Sequence, residues 1–266
     1  MTRSGGDSGA GSSRLLVAGD PDPVIVLNAG APSALLLLGD HAGREIPARL
    51  NGLGLTAADL DRHIAWDIGI AGLGARLSAL LNAPFIRQAY SRLVVDCNRR
   101  TEAKDAIPEI SDGTRIPGNR DLSPLAIATR LAEIYQPYQD AIAETLERRA
   151  ERRTVLVALH SFTPSMAGRD RPWRLGVLHR HDSAFSSAML ARLRADLGEA
   201  LVGDNAPYAM DETDNTIPLH ADPRGLDYLE LEVRQDLLAD ETAQAEMAQW
   251  LAPRLQAALD ATNMSE

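Results

Sequence analysis

Two histidines, each at the end of a short apolar run, are the residues of this chain best placed to do chemistry. One closes Leu35-Leu36-Leu37-Leu38-Gly39-Asp40-His41, the other Val155-Leu156-Val157-Ala158-Leu159-His160. Both runs have the length of a buried strand, and small residues follow each histidine. Ligands of open α/β sheets bind just past the carboxyl ends of the strands. Two imidazoles delivered there could hold a divalent metal, whereas either alone reads as a hydrogen-bonded structural residue. A catalytic zinc takes three protein ligands from His and Asp/Glu and keeps one position for water. Two acids are candidates for the third ligand. Glu45 follows His41 by four residues, and Asp67 lies in His63-Ile64-Ala65-Trp66-Asp67-Ile68-Gly69. Asp67 could equally complement a helix dipole, and Glu45 could simply be solvated.

Other residues offer proton transfer and anion recognition. In Leu229-Glu230-Leu231-Glu232-Val233-Arg234 the polar positions alternate, so Glu230, Glu232 and Arg234 share one strand face. That face is either an exposed edge or the source of a general base. Asn98 and Arg99 directly follow an apolar stretch, as the histidines do, and a planar guanidinium can clamp a carboxylate. His220 and Arg224 occupy a loop just before the glutamate strand, from which they could reach a site. His179 and His181 flank Arg180 and read as a solvated turn, and no base is placed beside Cys97 to make it a nucleophile.

These groups need a scaffold. Val24–Leu27 and Leu35–Leu38 read as neighbouring strands joined by a Gly- and Pro-containing turn. Thr56 caps a short helix, and a longer one over 67–81 presents Ile70, Leu73, Leu77, Leu80 and Leu81 on one face. Strands are expected over 85–87 and 93–95, followed by a long irregular stretch from Thr101 to Asp121. Ser123 and Pro124 start a helix with an apolar stripe through Leu146 and a kink at Pro137. The strand ending at His160 follows, then a strand over 175–178, a helix over 183–197, the glutamate strand and a last helix capped by Asp240. Strands alternating with helices imply an α/β fold, a mostly parallel or mixed sheet with helices on both faces.

The 266 residues hold no internal linker, so residues 14–266 are expected to form a single domain. Residues 1–13, mostly Ser and Gly, read as a disordered tail without the apolar region of a signal peptide. No apolar run spans a membrane, and a lone cysteine fits a reducing compartment, so the expected location is cytoplasmic. A net charge of −10 argues against nucleic-acid binding, which draws its affinity from basic clusters. Aromatic content of 4% leaves few platforms for stacking bases or sugars.

Several segments together resemble the N-formylglutamate amidohydrolase family. They are Asp40-His41-Ala42, His63 to Gly69, Ser91-Arg92-Leu93-Val94-Val95-Asp96-Cys97-Asn98-Arg99, Ile107-Pro108-Glu109 and Asp112-Gly113-Thr114. Ile116-Pro117-Gly118-Asn119, His160 to Pro164, Asn205-Ala206-Pro207-Tyr208, His220 and Glu232-Val233-Arg234-Gln235-Asp236 complete the set, in the family's order. The resemblance implies a zinc-carboxypeptidase-like fold and hydrolysis of an N-acyl amino acid. It favours Asp67 over Glu45 as third ligand and Glu232 over Glu230 as the catalytic carboxylate. Cys97 stands where many members carry leucine, and Gly43-Arg44-Glu45 departs from the usual small-polar segment.

The expectation is therefore a Zn2+ enzyme cleaving the amide of an N-acyl acidic amino acid such as N-formylglutamate. His41, Asp67 and His160 hold the metal, and Glu232 relays the proton. His220 assists the oxyanion, while Asn98, Arg99, Arg224 and Arg234 hold substrate carboxylates. The alternatives are a carboxypeptidase-like or other N-acyl-amino-acid metallohydrolase, or a non-catalytic protein binding an acidic metabolite.

Overall fold

The computed structural model describes residues 14–263 apart from 182 and 211; the tail expected over 1–13 lies outside the described residues. The strands are β1 (Val24–Leu27), β2 (Leu35–Gly39), β3 (Phe85–Gln88), β4 (Ile110–Ser111), β5 (Thr114–Arg115), β6 (Val155–Phe162), β7 (Ser165–Met166), β8 (Arg169–Asp170), β9 (Leu175–Leu178), β10 (Val202–Asp204) and β11 (Tyr228–Arg234). The helices are α1 (Ala57–Leu60), α2 (Ile70–Leu81), α3 (Pro124–Arg130), α4 (Gln136–Arg148), α5 (Ala184–Leu197), α6 (Thr216–His220) and α7 (Glu241–Asn263).

Seven strands form one mixed sheet in the order β1-β3-β2-β6-β11-β9-β10. The centre, β3-β2-β6-β11, is parallel, while β1 and the β9–β10 pair run the other way. Central parallel strands are covered on both faces, which is why β2 is four leucines and a glycine, all buried. Leu35, Leu37, Val157, Leu159, Leu229 and Leu231 face α2, α5 and α7. Leu36, Leu38, Leu156 and Ala158 face α4 and the buried segment around Leu93 to Cys97. No described helix is long and apolar enough to cross a membrane.

Local signals explain most elements. Thr56 and Asp59 form the reciprocal cap of α1, and the Ser123 hydroxyl accepts from Ala126 N at the start of α3. A π turn over Leu131–Tyr135 joins α3 to α4 just ahead of Pro137 and accommodates the missing N–H there.

Four expectations need correction. β1 and β2 are not neighbours, because β3 lies between them and pairs with both. Leu93 to Val95 is not a strand but a tight buried turn, held by Leu93 N and Val94 N donating to Ser91. Leu80 is 54% exposed and lies off the buried face of α2, which starts at Ile70 rather than at Asp67. The stretch from Thr101 to Asp121 is not wholly irregular: β4 and β5 make a hairpin whose turn, Asp112-Gly113, has positive φ at both residues.

Candidate active site

Three adjacent parallel strands, β2, β6 and β11, deliver their carboxyl ends to one cavity of about 510 Å³. His41 lies two residues past the end of β2, His160 sits two residues before the end of β6, and Glu232 is its register partner on β11. The alternation that puts Leu229, Leu231 and Val233 into the helical core turns Glu230 and Glu232 the other way. Because β11 is central, that face is no exposed edge, and both glutamates are buried against the cavity.

Asp67 reaches the histidines from the segment before α2, its N–H donating to His41 O at 2.8 Å. Its Oδ2 lies 3.1 Å from His160 Nδ1 and 3.6 Å from His41 Nδ1, and the two rings stand 5.0 Å apart. The far side of each ring meets another carboxylate. His41 Nε2 is 2.6 Å from Asp96 Oδ1, and His160 Nε2 is 3.4 Å from Asp40 Oδ2. Such outer carboxylates fix the tautomer and orientation of metal-ligating histidines. His41 Nδ1 is buried with no hydrogen-bond partner, an uncompensated loss of hydration that a cation would offset. Two ligands at about 2.0–2.1 Å from a tetrahedral zinc lie about 3.3 Å apart. The spacings of 3.1 and 3.6 Å around Asp67 Oδ2 match that value. This buried His-Asp-His group could therefore hold a metal.

The electrostatics separate the acids. Burial opposes charge on Asp67, yet His41 and His160 outweigh it and hold the carboxyl well below its usual range. Burial also opposes charge on Asp96, which Arg92 and His41 keep strongly acidic. Burial dominates at Glu232 and pushes it up to about 8, with Asp67 and Glu230 adding to the effect. Burial likewise raises Glu230. One cavity thus holds carboxylates that stay ionised, Asp67 and Asp96, and two that take a proton near neutrality, Glu230 and Glu232, a separation that bears on acid–base roles.

Asn98 and Arg99 line the same cavity. Asn98 Oδ1 accepts from Asn215 N and Thr216 N, and Nδ2 donates to Glu230 Oε1 at 3.4 Å. Arg99 is held by Asp105 and Asp214. Glu45 is exposed and lies outside the cavity, so Asp67 completes the histidine group. Three expected residues are also not brought in. His220 lies behind the cavity wall, where its Nε2 meets Gln139 Oε1 at 2.8 Å and burial lowers its pKa to about 4. It is not placed to assist an oxyanion. Arg224 is exposed on the turn after α6 and donates to His220 O. Arg234 closes the carboxyl end of β11 but turns to Asp236 and Trp173 O, outside the cavity lining. Cys97 is buried, and burial drives its pKa well up, as suits an inert thiol.

The structure adds residues to which the sequence reading gave no role. Arg92 lines the cavity, with Nε and Nη2 on Asp96 Oδ2 at 3.0 and 2.6 Å and Nη1 3.5 Å from Asp67. Tyr208 enters from the loop after β10, its hydroxyl accepting from Arg171 Nη1 at 2.9 Å. That loop crosses close above β9 because position 176 is glycine, where a Cβ would meet Ala206 O at 2.2 Å. Arg92 and Asp96 stand four residues apart in Ser91 to Arg99, an acid–base spacing that could have flagged them. Tyr208 carried no such local signal.

A family model described as N-formylglutamate amidohydrolase matches residues 33–239. The crystal structure of a gene product from Agrobacterium tumefaciens is similar, with 38% identity and a TM-score of 0.89 over 95% of this chain and 100% of that one. An N-formylglutamate amidohydrolase from Ralstonia eutropha JMP134 shares the fold at 16% identity, with a TM-score of 0.60 over 86% of this chain and 98% of its own. No curated protein sequence matches the chain.

Proposed function

The chain belongs to the N-formylglutamate amidohydrolase family, and from that premise we propose that it is a zinc-dependent hydrolase of the amide bond in N-acyl amino acids. N-formylglutamate is the reference substrate that the family description supplies. The observation that carries this reading is the buried group of His41, Asp67 and His160 with Glu232 in the same cavity. A zinc ion held by those three residues would supply Lewis acidity, making water nucleophilic near neutral pH and polarising the acyl carbonyl.

The chain's own residues do the rest. Glu232 accepts a proton from the attacking water and returns it to the amide nitrogen as the C–N bond breaks, so one water yields a carboxylate and an ammonium once the acid's proton passes to the amine. Arg92, rather than His220, is the cation beside the ligand group and faces the negative charge that develops on the acyl oxygen. Arg99 and Asn98 receive the α-carboxylate, with the guanidinium held in place by Asp105 and Asp214.

The test is metal content of the purified protein, paired with hydrolysis of N-formyl, N-acetyl and dipeptide substrates before and after chelation. The reading expects about one zinc per chain and activity that chelation removes and zinc restores. Activity unchanged after complete removal of metal would refute the zinc requirement. Tight binding without turnover, with zinc in excess, would refute the hydrolase.

A further inference from the structure

The sequence offers Arg224 and Arg234 for a second substrate carboxylate, and the structure turns both away from the cavity. Arg171 stands in their place. It directly follows the β7–β8 hairpin, whose turn has positive φ at Ala167 and Gly168. Its N–H donates to Pro164 O at 2.8 Å, which closes the hairpin at its base beside the carboxyl end of β6.

The Arg171 side chain lies against residues that line the cavity. Nη1 donates to the Tyr208 hydroxyl at 2.9 Å and to Thr163 Oγ1 at 3.3 Å, and Nη2 to Met166 Sδ at 3.0 Å. The guanidinium carbon stands 4.7 Å from the centre of the Tyr208 ring. Every one of these partners is neutral. Arg92 and Arg99, by contrast, are each matched by two carboxylates, Asp96 and Asp67 for the first, Asp105 and Asp214 for the second. Arg171 has no acidic partner among the described residues, in a chain whose 37 acids outnumber its 27 Lys and Arg. A half-buried guanidinium without an anion keeps its charge for a ligand to meet.

Tyr208 carries that charge into the cavity. Its hydroxyl oxygen accepts from Arg171, so its own hydrogen is left for an acceptor, and the guanidinium behind it makes it a stronger donor. Loss of hydration and the nearby Glu232 raise its pKa against the effect of Arg171, so the hydrogen stays in place.

We propose that Arg171 and the Tyr208 hydroxyl together receive the side-chain carboxylate of an acidic N-acyl amino acid, while Arg99 and Asn98 receive the α-carboxylate. The proposal rests on the hydrolase reading of the site and assigns the residues that make it select a dicarboxylate. A guanidinium and a hydroxyl aimed at one anion favour it over the isosteric amide, which brings no charge to match the guanidinium.

The experiment compares N-formylglutamate with N-formylglutamine on the zinc-loaded full chain, with binding of free glutamate and glutamine measured by calorimetry. The glutamate derivative is expected to exceed the glutamine derivative by about tenfold or more in kcat/KM, the worth of a hydrogen bond to a charged group. Arg171→Gln is expected to bring that ratio close to one, mainly through KM for the glutamate derivative. Arg169→Gln removes a charge from the same hairpin at an exposed site and is expected to leave the ratio in place. A merely structural role for Arg171 would slow both derivatives alike. No preference for glutamate in the wild type, a ratio that Arg171→Gln leaves in place, or one that Arg169→Gln lowers as much, overturns the proposal. If Arg171→Gln does not fold, Arg171→Lys and Tyr208→Phe take its place: each is expected to lower the ratio, and ratios unchanged in both overturn the proposal. If neither derivative is hydrolysed, the hydrolase reading fails, and calorimetry still decides the subsite: glutamate binding no tighter than glutamine, or neither binding, overturns it.

Discussion

Removing the carboxylate behind His41 should weaken metal binding without touching a ligand. Asp96 Oδ1 lies 2.6 Å from His41 Nε2 and accepts from Asn98 N at 2.9 Å, while Oδ2 takes two bonds from Arg92. In Asp96→Asn the volume is kept, but the anionic acceptor that makes the imidazole more basic is lost. Outer-sphere changes of this kind reduce metal affinity by about 10–100-fold, or about 1.4–2.7 kcal/mol. The fold should lose less than the about 3–5 kcal/mol of a broken buried ion pair. Arg92 is 26% exposed and keeps Asp67 at 3.5 Å, so a cost of about 1–3 kcal/mol is expected.

The assay is zinc titration of the stripped protein against a chromophoric chelator, with thermal melts of both forms. Asp204→Asn is the control, since Asp204 also meets a histidine, His179 at 3.0 Å, but on an exposed pair outside the cavity. The control should leave zinc affinity at the wild-type value. A dissociation constant for Asp96→Asn within twofold of wild type, in a folded protein, would refute the view that Asp96 supports a metal-ligating His41.

Four further outcomes are expected. Glu232→Gln should retain one zinc and lose at least about a hundredfold in kcat; undiminished turnover would remove Glu232 from proton transfer. Arg99→Lys should raise KM at least about tenfold with a smaller effect on kcat, because an ammonium cannot reproduce the fork shared by Asp105, Asp214 and substrate. Gly43→Ala should lower stability by about 1–3 kcal/mol in urea titration, since its Cβ would lie 2.2 Å from the Ala89 backbone; an unchanged midpoint would contradict that packing. The metal-free protein should lose stability as pH rises from about 4.5 to about 8, because Glu232 and Glu230 bind their protons more tightly folded than unfolded. Asp67 and Asp96 act oppositely, their support being lost only below 3.8, and Glu232→Gln should flatten the slope above 4.5 in pH-resolved melts.

The residues legible in the sequence were those whose position follows from strand periodicity. His41 and His160 closed apolar runs, and their strands proved adjacent, so one end of the sheet carried both. Glu232 followed by alternation once β11 was read as a strand, but its choice over Glu230 came from the family resemblance, since both face the cavity. His220, Arg224 and Arg234 were misplaced for a common reason. Nearness in sequence to β11 says nothing about which wall a loop or a strand end will face: Gln139, 81 residues away, takes His220, and the near neighbour Asp236 takes Arg234. The Asp112-Gly113 dipeptide was a legible hairpin signal within the long loop.

The arrangement of charge was the least visible layer, because it depends on contacts between distant segments. Asp214 meets Arg99 across 115 residues, and Glu230 meets Asn98 across 132. A motif supplies Asn98 and Arg99, yet which of their donors stay available is set by acids the motif does not contain. Reaction type and substrate preference therefore have separate physical origins here. On the hydrolase reading, His41, His160 and Glu232 at the carboxyl ends of three parallel strands, with Asp67 from the segment before α2, set which bond can be broken. Asp105 and Asp214 hold Arg99, and Glu230 contacts Asn98, so exchanging these acids should alter substrate binding while zinc affinity stays constant.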